Sequence, residues 1–107
     1  MTDTTDREML ELAARAAGYS FKWGKDWHDK GVPLVDDKSW NPRHDNNDAF
    51  RLAARLKIQV AFGTFKDNVA SAYKFGTPAV EIENTDIEAA AREAIFLMAV
   101  EIGRGMK

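Results

Sequence analysis

The chain has 107 residues, 45% of them hydrophobic, with 15 Lys and Arg against 17 Asp and Glu for a formal net charge of -2. That size and balance fit a single compact domain, residues 1–107 with short frayed ends, and exclude bulk disorder or a surface drawn to phosphate or anionic lipid by excess positive charge. The lack of cysteine excludes a disulfide framework, a thiol nucleophile and a thiolate metal site.

The opening "MTDTTDREML" has neither the basic start nor the apolar core of a secretory signal. No apolar run approaches the roughly 20 residues needed to cross a bilayer, so the expectation is a cytoplasmic protein with no membrane partner. Thr5 and Glu8 have the spacing of a capping box, which predicts a helix from here. Met9, Leu10, Ala13, Ala14, Ala16 and Ala17 share a face of it, and Gly18 can take the left-handed backbone that ends it. "YSFKW" alternates large and small or charged residues like a half-buried strand, and "VPLV" offers a second strand in which Pro33 favours an edge or a bulge. Asp36–Lys38 reads as a turn.

In "SWNPRHDNNDAF", Pro42 favours an extended Asn41, and Asp45, Asn46 and Asn47 can each accept from early helical N–H groups. The helix this predicts carries an apolar arc of Phe50, Leu52, Ala53, Ala54 and Leu56, with Asp48, Arg51 and Arg55 opposite. Ile58, Val60 and Phe62 of "IQVAF" alternate onto one side of a strand. Val69, Tyr73 and Phe75 share a face of the next, with Ser71 a small packing or edge residue. "AVEIE" turns Val80 and Ile82 inward and Glu81 and Glu83 outward. Thr85 and Glu88 repeat the capping-box spacing before a long helix to about Gly103. Its core face is Ile87, Ala90, Ala91, Ala94, Ile95, Leu97, Met98 and Ile102. Phe96 projects opposite that stripe, either beneath a neighbouring loop or into a partner surface.

The fold class is therefore α+β: about three helices flanking a small antiparallel or mixed sheet, either two-layered or a three-layer sandwich. The seven glycines form neither G-x-G-x-x-G nor a Walker loop and read as cap, turn and terminal residues. No G-x-S-x-G elbow accompanies Ser20, Ser39 or Ser71, so an enzyme is the minority class and no cofactor is implied. His44, Asp45 and Asp48 form the metal-hydrolase alternative, because carboxylates can hold a divalent ion while an imidazole ligates it or moves a proton. A helix entrance explains the same residues more simply. His28, in "DWHDK", adds no ligand spacing. Lys22, Lys25 and Lys30 interleaved with Trp23 and Trp27, together with Arg51 and Arg55, form the nucleic-acid alternative through phosphate contact and base stacking. Against it stand Asp26, Asp29 and Asp48 among those residues.

Trp40-Asn41-Pro42 followed by Asp48-Ala49 and "FRLAARL" resembles a pattern in small tailed-phage and prophage proteins, and the broader grouping is similar to the phage ABA-sandwich family. The resemblance runs loosely from the alanine-rich first helix to "AAREAIFLMAVEIGRG". Arg43 and His44 stand where the more familiar segment continues toward a threonine-aspartate pair. The resemblance implies helices flanking a small sheet in a phage or prophage accessory protein, and it assigns no catalytic residue. The leading expectation is a noncatalytic protein-interaction module that binds a host or phage protein or a second copy of itself, with Trp27, Trp40 and Phe96 as aromatic anchors and Arg51 and Arg55 as steering charges.

Overall fold

The computed structural model describes residues 6–24, 31–63 and 67–106. In chain order these form α1 (Asp6–Ala17), β1 (Phe21–Gly24), β2 (Val32–Val35), β3 (Lys38–Ser39), α2 (Asn46–Leu56), β4 (Gln59–Phe62), β5 (Val69–Lys74), β6 (Thr77–Glu83) and α3 (Ile87–Arg104). The α+β class is as expected from the sequence. The strands, however, divide into two antiparallel sheets, β1-β2-β3 and β4-β5-β6, where the sequence led us to expect one. No helix among the described residues is long and apolar enough to cross a membrane.

Local signals set the helix ends. Gly18 (φ 70°) closes α1 with Gly18 N–H on the Arg15 carbonyl at 3.1 Å and Tyr19 N–H on the Ala14 carbonyl at 3.0 Å, the paired bonds of a Schellman stop. Thr5, the expected cap of α1, lies outside the described residues. The α2 helix ends the same way at Lys57, a non-glycine residue at φ 57°, with Ile58 N–H donating to the Ala53 carbonyl at 2.8 Å. The cap of α3 is Asp86, one residue beyond the expected Thr85: its carboxylate accepts from the N–H groups of Glu88 and Ala89.

The long C-terminal helix is the centre of the molecule. It packs against α1 and α2 and also against β4, β5 and β6. Its buried residues are Ala90, Ala91, Ala94, Ile95, Phe96, Met98, Ala99, Val100 and Gly103, which surround the axis rather than forming one stripe. The partner-surface alternative for Phe96 is thereby corrected. A helical projection identifies an off-stripe residue as exposed only if the helix has one covered side, and α3 has several; Phe96 is fully buried. Gly103 is also neither cap nor terminus. It lies inside α3 where that helix crosses α1 so closely that a Cβ at this position would overlap the carbonyl of Leu12.

The phase of the second sheet follows from two bonds at its ends. Gly63 N–H donates to the Val69 carbonyl at 2.9 Å and Asn84 N–H to the Asn68 carbonyl at 2.8 Å, in register with Phe62 opposite Ala70 and Val69 opposite Glu83. Because antiparallel bonding alternates, Gln59 and Ala61 bond to β5, while the N–H and C=O groups of Val60 and Phe62 point to the outer edge. Val80 and Ile82 pack into the core with Glu81 and Glu83 outward, as the alternation predicts. Of the expected β5 face of Val69, Tyr73 and Phe75, Val69 is buried and Tyr73 half-buried. Ala70 and Ala72 turn toward α3, and Phe75 is fully exposed in the β5–β6 turn. Ser71 is completely buried in the central strand rather than exposed at an edge.

Candidate functional site

The stretch Ser39–Phe50 is a pinned entrance to α2. Trp40 is only 4% exposed, with its ring edge-on to Tyr19 (5.8 Å between centroids) and Phe21 (6.0 Å), and Pro42 is fully buried. Asp45 is the N-cap, accepting from Asp48 N–H at 3.0 Å, and the Asp48 carboxylate accepts from Asn41 N–H at 2.9 Å. The two acids expected to hold a metal in the alternative reading are thus spent on backbone N–H groups, and His44 is exposed beside them. Among the described residues no group of three or more His, Cys, Asp or Glu is placed to hold an ion. Trp40 as an interaction anchor is corrected as well, because its ring is core.

Sequence reasoning gave Arg43 no role, yet it joins three elements. Its Nε and one terminal nitrogen donate to the two carboxylate oxygens of Glu93 at 3.2 and 3.1 Å, and its other terminal nitrogen donates to Asp6 at 3.0 Å. The guanidinium also lies over the Phe96 ring, 5.1 Å from its centroid. Beside it, Arg92 Nε donates to the Arg43 carbonyl at 3.0 Å and its terminal nitrogen to Asn46 Oδ1 at 2.6 Å, while Asn46 Nδ2 donates to Glu88 at 2.6 Å. These bonds clasp the start of α2 to the first half of α3.

Below that clasp α2 and the second sheet separate, leaving an apolar groove of about 440 Å³. Phe50, Ala53 and Ala54 form its α2 wall, Ile58, Val60 and Phe62 the β4 side, and Ala91 and Ile95 the floor on α3, with Asn46, Glu88 and Arg92 as a polar end. The apolar arc of α2 is wider than α3 can cover. Ala49, Leu52, Ala53 and Leu56 face the core, whereas Phe50 is 72% exposed and Ala54 is exposed. Phe62, expected inward with Ile58 and Val60, is 59% exposed at the opposite lip. An arc of apolar residues in sequence gives no sign of how much of it a neighbour will reach; excess width over the usual helix stripe was the available signal.

A smaller hollow of about 230 Å³ lies beside Tyr19, Trp40, Asp36, Asp48 and Arg51. Burial raises the Tyr19 phenol above its ordinary pKa, an effect opposed by the nearby Arg55 and Arg51 charges and reinforced by Asp48 and Asp36. Among the described residues of the nucleic-acid alternative, Lys22, Trp23 and Arg55 have partners within the chain. Lys22 pairs with Asp37 at 2.5 Å, and Trp23 packs edge-on to Phe21 with the Arg7 guanidinium over its ring at 4.1 Å. Arg55 donates to the Ala17 carbonyl at 2.9 Å, while Arg51 is exposed at the Tyr19 hollow. Lys25, Trp27, His28 and Lys30 lie outside the described residues.

No family model, curated protein or solved structure matches the chain, so the reading of function rests on this geometry and on the sequence.

Proposed function

We propose that the chain is a noncatalytic protein-interaction module that docks its partner along the groove between α2, β4 and α3, in the phage or prophage setting implied by the Trp40-Asn41-Pro42 resemblance. The observation that carries this reading is a pair of largely exposed phenylalanines, Phe50 and Phe62, facing each other across an apolar trough whose only polar groups sit at one end. Isolated exposed apolar side chains are ordinary; two aromatics on the lips of one continuous apolar surface are the pattern of a contact patch. The anchors are Phe50 and Phe62 in place of Trp40 and Phe96.

Photo-crosslinking in the expressing cell tests it. A photoreactive phenylalanine analogue at position 50 or 62 is expected to give a discrete protein adduct, and the same group at Glu81, exposed on β6, is expected to give none. Equal yield from all three positions would remove the groove from consideration. Salt-sensitive binding of single- or double-stranded oligonucleotides, as phosphate contacts require, would replace this reading with the nucleic-acid one.

A further inference from the structure

The two edges of the second sheet differ in chemistry. On β6 the outer edge carries Pro78, Glu81 and Glu83, the devices by which proteins keep edge strands from pairing. The other edge, β4, reads Gln-Val-Ala-Phe and has neither charge nor proline. From Ile58 through Gly63 there is no charged residue at all. Among the described residues no strand pairs with that edge.

We propose that β4 pairs antiparallel with β4 of a second copy of this chain, joining two three-stranded sheets into one of six strands. This deepens the docking reading above and rests on it. The hydrogen-bond phase restricts the register. Val60 and Phe62 carry the outward N–H and C=O groups, and the register that uses both from each copy makes Val60 with the partner's Phe62 and Phe62 with the partner's Val60 the bonded pairs. Ala61 then lies on the two-fold axis opposite itself, in the closer, non-bonded kind of pair, which its small side chain fits. Each bonded pair sets an aromatic against a β-branched residue, a favourable cross-strand combination, and both side chains lie on the groove side of the sheet. No like charges oppose one another in this register, whereas β6 paired with itself would bring glutamates together.

The exposed anchors bound the strength of this contact. A fully buried aromatic removes about 150–250 Å² from water, so Phe50 and Phe62 at 72% and 59% exposure contribute roughly 400–650 Å² over two copies. Stable interfaces bury about 1,200–2,000 Å² in total, so strand backbone and groove walls must supply more than the anchors do. The expected dimer is reversible and concentration-dependent.

Because the chain has no cysteine, a single introduced thiol reports the register directly. Sedimentation velocity of the wild-type chain over a wide concentration range is expected to show monomer converting to dimer, and Phe62→Lys is expected to abolish the dimer. Under mild oxidation Ala61→Cys should form a disulfide-linked dimer at least about tenfold faster than Gln59→Cys, since only position 61 meets its own copy at the spacing a disulfide needs. A chain that stays monomeric throughout overturns the proposal, as does a dimer that survives Phe62→Lys or cross-links equally at 59 and 61. Photo-adducts from positions 50 and 62 to a different protein, with the chain itself monomeric, would refute self-pairing and leave the docking reading standing. No adduct of any kind would refute the docking reading.

Discussion

Replacing Gly103 with alanine sets two effects of opposite sign against each other. Alanine is intrinsically the better helix former by about 1 kcal/mol, so a glycine-to-alanine change inside an 18-residue helix would ordinarily stabilise. Here the new methyl group would overlap the Leu12 carbonyl oxygen, with the carbonyl carbon at 2.8 Å and Leu12 Cα at 3.2 Å. These are backbone atoms and cannot rotate away, so α1 would have to slide or lift from α3, disturbing the buried Ala13, Ala14 and Ala17 of α1. Overpacking of this kind costs about 1–3 kcal/mol, with backbone displacement at the upper end. Net destabilisation of about 1–2 kcal/mol should remain, a fall in Tm of roughly 4–16 °C for a domain of this size. Differential scanning calorimetry measures it, with Gly105→Ala as the control. Gly105 adopts φ -77° and its nearest neighbours would be 3.6 Å or more from a Cβ, so that variant should be neutral or slightly stabilised. A Gly103→Ala protein melting at or above the wild-type temperature would refute the close crossing of α1 and α3.

Trp40→Ala should cost about 3–5 kcal/mol in urea unfolding, the loss expected of a buried aromatic; a change within error of zero would return Trp40 to the surface. Asp45→Ala removes the α2 cap and should cost about 1 kcal/mol by the same measurement, whereas Asp45→Asn, which keeps the accepting oxygen, should recover most of it. If Asn and Ala behave alike, the carboxylate is not acting as the cap. For Tyr19 the folded state holds its proton more tightly than the unfolded chain. Its contribution is therefore fully present below the ordinary phenol pKa of about 10 and is lost as pH rises through the raised folded value. The Tm of the wild type should fall more steeply above pH ~10 than that of Tyr19→Phe, and parallel curves would contradict it.

Elements governed by short-range rules were legible in the sequence. A cap among Asp45, Asn46 and Asn47, the Gly18 stop and the inward Val80 and Ile82 needed only neighbours a few residues away. What escaped was decided by distant partners. Arg43 acquires its purpose from Glu93, fifty residues on, and no local spacing encodes that pair. The partner-surface reading of Phe96 fails because the projection of α3 assumes a single covered side, and that of Trp40 because a tryptophan beside polar residues was read by its neighbours in sequence rather than by Tyr19 and Phe21. The groove was half visible: Phe50 and Ala54 were correctly placed on the apolar arc of α2, but only the position of α3 shows that they lie beyond its reach. Division of the strands into two sheets likewise depends on which hairpins find each other.

Because the helix at the heart of the molecule follows the elements that rest on it, α1, α2 and the β4–β6 sheet wait for its support. During synthesis α1, α2 and the β4–β6 sheet emerge from the ribosome with the sides that α3 covers still open, and only arrival of residues 87–104 lets them close on a shared centre. The nascent chain is therefore most exposed to holdase chaperones until that helix emerges. A stop codon placed in the first half of α3 should yield an insoluble or degraded product rather than a shortened domain.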